Sequence, residues 1–88
     1  MINPIQFRVD REVEAGYLTY RALAPGAHVA RTDRVSDDVN VDYDENGEVL
    51  GIELLSLDDE ALADARAFAA AHGFAFPGNL ENVSATAI

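Results

Sequence analysis

The chain has 88 residues, enough for one domain and too few for two separate cores. Sixteen acidic residues against six basic ones, all arginine, give a net charge of −10. A surface of that sign repels phosphate, which argues against nucleic acid or anionic membrane as a partner, and the absence of cysteine removes disulfides, thiol chemistry and cysteine-ligated metals.

Met1 to Asp10 has no basic flank followed by an apolar core, so no signal peptide is expected. The longest apolar run, Ala67 to Ala71, falls far short of the roughly 20 residues that cross a bilayer. The expected location is cytoplasmic. Ile5, Phe7 and Val9 alternate with Gln6 and Arg8, the period of a half-buried strand. Asp10 to Gly16 reads as a turn. Tyr17 to Leu23 predicts a second strand, with Tyr17, Thr19, Arg21 and Leu23 on one face and Leu18, Tyr20 and Ala22 on the other. Ala24-Pro25-Gly26-Ala27 suits a type II turn, and His28 to Val35 predicts a weaker strand carrying Val29 and Val35 on one face.

Val39, Val41 and Tyr43 alternate with Asp38, Asn40 and Asp42, and Asp44-Glu45-Asn46-Gly47 then signals a hairpin. Val49 to Leu55 returns as a strand, and a loop of two or four residues would turn Leu50, Ile52 and Leu54 to the side of Val39, Val41 and Tyr43. After Leu55 the period changes to that of a helix. Ser56 or Asp58 can start it, Leu62, Ala65, Phe68, Ala69 and His72 form its stripe, and Gly73 ends it. Phe74 and Phe76 are expected in the core. Residues 1–78 therefore predict a single α+β domain, a curled antiparallel sheet of about five strands in a meander followed by one C-terminal helix. Residues 79–88 lack periodicity and predict a tail. The expected buried set is Phe7, Val39, Val41, Leu50, Ile52, Leu54, Leu62, Phe68 and Phe74.

Three motifs carry a resemblance. Asp10 opens the first, Glu14-Ala15-Gly16-Tyr17-Leu18 forms the second, and Asp42-Tyr43-Asp44-Glu45-Asn46-Gly47-Glu48-Val49-Leu50-Gly51-Ile52-Glu53-Leu54 forms the third. Across Phe7 to Leu55 the chain resembles the DUF2283 family, a small bacterial and archaeal domain of unknown function. It departs in carrying Glu14 where the family has aspartate and Gly16 where it has a larger apolar residue, and the segment after Leu55 lies outside the likeness. The resemblance implies no activity. The toxin-like neighbours of the family's members imply an antitoxin role.

Asp42, Asp44, Asn46 and Glu53, with Gly47, fit the spacing of an EF-hand calcium loop, whose oxygens wrap one ion when the last glutamate reaches back. The surrounding alternation is that of strands, and Asp-Asn-Gly is also the chemistry of a tight turn. Two histidines, His28 and His72, offer little for catalysis, and no serine sits in a nucleophile elbow. Asp37, Asp38, Asn40, Asp42 and Glu53 read as a solvated acidic face. No enzymatic activity, catalytic residue or cofactor is expected. The leading expectation is a protein-interaction module, a homodimer that acts as an antitoxin-like partner of a basic protein. The alternative is a calcium-binding module using the Asp42–Glu53 loop.

Overall fold

The computed structural model describes residues 1–78 and the backbone of Ala85–Ala87. Along the chain come β1 (Gln6–Asp10), β2 (Ala15–Thr19), β3 (Arg31–Ser36), β4 (Val39–Tyr43), β5 (Val49–Leu54), α1 (Asp59–Ala71) and β6 (Ala85–Ala87). The strands form one sheet in the order β3-β4-β5-β2-β1-β6. All pairings among β1 to β5 are antiparallel, and α1 packs across β3, β4 and β5, so the class is α+β as expected.

The connectivity is not one continuous meander. β3, β4 and β5 run as a meander, β1 and β2 as a hairpin, and the two units join through β2 and β5. Composition explains the placement. β5 buries Val49, Leu50, Gly51, Ile52 and Leu54 and takes a central position, whereas β3, with Arg31, Thr32, Asp33 and Arg34, suits the sheet's edge. The segment expected to be a tail also contributes. Ala85–Ala87 pairs parallel with β1, giving the sheet a sixth strand, while 79–84 and 88 lie outside the described residues.

The hairpin loop settles a register the sequence left open. Asp44 N–H donates to Glu48 O at 2.9 Å, so three residues, Glu45 to Gly47, form the loop. Gly47 takes φ 77, and the Asp44 carboxylate accepts from the N–H groups of Asn46 and Glu48. An odd loop flips sidedness relative to the two- or four-residue loops expected. Val49 therefore faces Tyr43, and the shift between Asp42 and Tyr43 leaves Leu50 as the extra residue before Asp42 meets Gly51. Leu50 is buried but lies outside the helix-side cluster, which corrects its expected grouping with Ile52 and Leu54.

Asp58, not Ser56, caps α1, its carboxylate accepting from Ala61 N–H at 2.8 Å, while Asp59 and Glu60 complement the helix dipole. At the other end Gly73 takes φ 78, and Phe74 N–H reaches back to Ala69 O at 2.8 Å. The buried stripe is Ala61, Ala65 and Ala69. Leu62 and Phe68 flank it partly buried, and His72 is exposed and stacks on Phe68, so the expected stripe is rotated by part of a turn. Alanine on the inner line brings the helix close to the sheet, and the larger residues straddle the contact. Against them pack Phe7, Val9, Leu18, Val39, Val41, Val49, Ile52 and Leu54. Phe74 and Tyr20 close one end, their rings 4.8 Å apart.

Candidate functional site

Alternation along each strand places Arg8, Tyr17, Thr19, Gly51, Glu53, Asn40, Asp42 and Thr32 opposite the helix-side core. Among the described residues no helix packs on that face. Tyr17 organises its centre. Its ring lies over Gly51, where a Cβ would stand 2.5 Å from it, so the glycine is required by close approach. The Tyr17 hydroxyl donates to Asp42 Oδ2 at 2.9 Å, and Thr32 Oγ1 donates to Asp42 Oδ1. Asn40 Nδ2 donates to Glu53 Oε1 at 3.1 Å. A polar chain thus ties β2, β4 and β3 across the bare face.

The two neighbouring tyrosines differ in setting. Burial, then the hydrogen bond and charge of Asp42, and then Glu53, raise the Tyr17 hydroxyl well above its ordinary range. Tyr20, on the helix side, donates to Ala75 O at 2.8 Å, and burial pushes it up to about 12 from 10.0. Both folded-state values lie above the unfolded one, so below pH ~10 neither state loses the proton and stability is unaffected. Above that the unfolded chain ionises first, and stability falls as pH rises toward about 12. The urea midpoint should therefore hold steady through pH 9 and drop beyond pH 10, with a shallower drop in Tyr20→Phe.

Beside this polar centre the face becomes apolar. Ile5, Tyr17, Leu23, Val29 and Leu50 line a groove of about 350 Å³, with Arg8 and Arg21 at its rim. Ile5, Leu23 and Val29 are 51%, 45% and 39% exposed. Arg21 is held by Glu48 at 2.7 Å.

The residues of the calcium-loop pattern each bond to a different set of partners. Asp42 is engaged by Tyr17 and Thr32, Asp44 by the amides of its own turn, and Glu53 by Asn40 across the ladder. Asn46 sits exposed in the turn, and a strand rather than a helix precedes the loop. Among the described residues no three His, Cys, Asp or Glu side chains converge as a metal site. Asp37 and Asp38 lie in the β3–β4 turn, not on the ladder with Asn40 and Asp42. His28 approaches Glu45 at 3.8 Å on the surface, and His72 caps α1. The sequence reading missed the Tyr17–Gly51 stack and the Thr32–Asp42–Tyr17 chain. A glycine inside an otherwise apolar strand was the available signal.

The family described as protein of unknown function (DUF2283) matches residues 6–57, more than half of the chain, and the chain belongs to that family. No curated protein and no solved structure matches it. Among the described residues no helix is long and apolar enough to cross a membrane.

Proposed function

We propose that this member of the DUF2283 family is a cytoplasmic protein-interaction module, a homodimer that binds and neutralises a basic partner protein in the manner of an antitoxin. The observation that carries the reading is the bare sheet face, where an apolar groove with three exposed aliphatic side chains adjoins a rigid polar patch. Exposed apolar surface rimmed by polar groups is what a protein partner buries, at roughly 25 cal/mol per Å². The net charge of −10 would draw a basic partner to the chain and speed its encounter. Tyr17, Asp42, Thr32, Asn40 and Glu53, each bonded to a neighbour on this face, suit recognition better than proton transfer.

Co-purification of the tagged chain from its native source tests this. The intact chain should retain a basic protein in stoichiometric amount, and the double variant Leu23→Asp, Val29→Asp should lose it while keeping its fold. Retention of no stoichiometric partner, or equal retention by the variant, would overturn the reading.

A further inference from the structure

The end strand of a sheet leaves one side of its backbone N–H and C=O groups without a neighbouring strand, and among the described residues β3 holds that position. Four of its six side chains are exposed, and Asp33 and Ser36 are half-buried. We infer that a second copy of this chain pairs antiparallel with this edge, about a two-fold axis at Thr32, so that the two sheets become one. The inference rests on the homodimer reading above and states where that contact lies.

Charge selects the occupant. Two copies at −10 each repel almost everywhere. β3, with Arg31 and Arg34 against Asp33, is the one strand among β1 to β6 whose own charges sum to a positive value. Copies meeting at β3 therefore meet along the strand that itself adds least to their mutual repulsion.

Register then selects the pairing. A two-fold axis perpendicular to the sheet keeps opposed side chains on one face, so only alignments that pair residues of the same parity are available. Centred on Asp33, two carboxylates would face each other, and centred on Arg34, two guanidinium groups. Centred on Thr32, each Arg31 faces the other copy's Asp33, and the two Thr32 side chains meet on the axis. Opposite charges directly across a ladder are favourable and like charges unfavourable.

The charged groups already form a pair within the strand. Arg31 Nε lies 3.0 Å from Asp33 Oδ1 of its own strand, and its guanidinium rests 4.1 Å from the centre of the Tyr43 ring. Pairing would complete a closed ring of alternating charge once Arg31 swings from the Tyr43 ring of β4 toward the edge. Val29 before the strand and Val35 within it, 39% and 38% exposed, are opposed in this alignment, which draws each toward the other valine of the second copy. The register shift between Arg34 and Ser36 bends the edge at the end of the pairing segment, which keeps the contact short and the association reversible.

Light scattering and cross-linking test the inference. The intact chain at tens of micromolar should weigh twice 9.5 kDa. Arg31→Asp and Asp33→Arg should each return to the single-chain mass. An equimolar mixture of the two variants should recover the dimer, because an acidic pair on one chain then faces a basic pair on the other, although neither chain has regained its internal ion pair. Since the chain has no cysteine, Thr32→Cys should form a disulfide-linked dimer under mild oxidation, the opposed Cα atoms lying about 4.5–5.5 Å apart. Arg34→Cys should not. A single-chain mass for the intact protein at every concentration would remove the homodimer itself. A dimer that survives both charge variants, or that fails to cross-link through residue 32, would leave the homodimer standing and overturn the β3 pairing.

Discussion

Replacing Ile52 with alanine is expected to cost about 2–5 kcal/mol. Ile52 is fully buried on β5, with Leu18 of β2 on one side and Val41 of β4 on the other. Its removal opens a cavity where the two parts of the sheet join, and rigid strands on both sides keep that cavity from collapsing. A domain of this size holds only about 5–15 kcal/mol in total, so the variant should be close to unfolding at body temperature. Urea denaturation followed by circular dichroism should lower the midpoint by more than about 1 M, taking a slope of roughly 1–3 kcal/mol per M. A midpoint within error of the parent would mean that β5 is not the central strand.

Enlarging Ala65 to leucine should also destabilise the fold, by about 1–3 kcal/mol, although it adds apolar volume and keeps helix propensity. Ala65 is fully buried midway along the inner line of Ala61, Ala65 and Ala69. Leucine there must push the helix away from β4 and β5 or leave its preferred rotamer. The same change at exposed Ala67 serves as the control and should be close to neutral. A gain in melting temperature for Ala65→Leu would show that the helix stands off the sheet and that Leu62 and Phe68 form the real contact.

The outcomes trace to how far each signal reaches along the chain. Period-two alternation marked β1, β2, β4 and β5 because it needs only neighbouring residues, and most of the buried set followed from it. Asp58 and Gly73 marked the helix ends for the same reason, since caps are local chemistry. The helix face was misjudged because Leu62 and Phe68 are the larger apolar residues. The distance between helix and sheet, not side-chain hydrophobicity, decides which line is innermost. Leu50 was placed on the wrong side because an odd loop and an extra residue in β5 shift the count, and neither can be read from alternation alone.

By itself, then, the sequence determined the α+β class, the antiparallel hairpin at Asp44–Gly47, the span of the helix and the likeness to a family. Each is written in spacing, turn chemistry or motif within a few residues. Only the tertiary structure decided that β2 joins β5, that Ala85–Ala87 adds to β1, that Tyr17 lies over Gly51 and bonds Asp42, and that β3 stands at the edge. These are contacts between segments distant in the chain, chosen by competition among strands for the centre of the sheet. The most apolar strand takes that centre, and the strand carrying Arg31, Asp33 and Arg34 is left facing water, where pairing with another copy remains open to it.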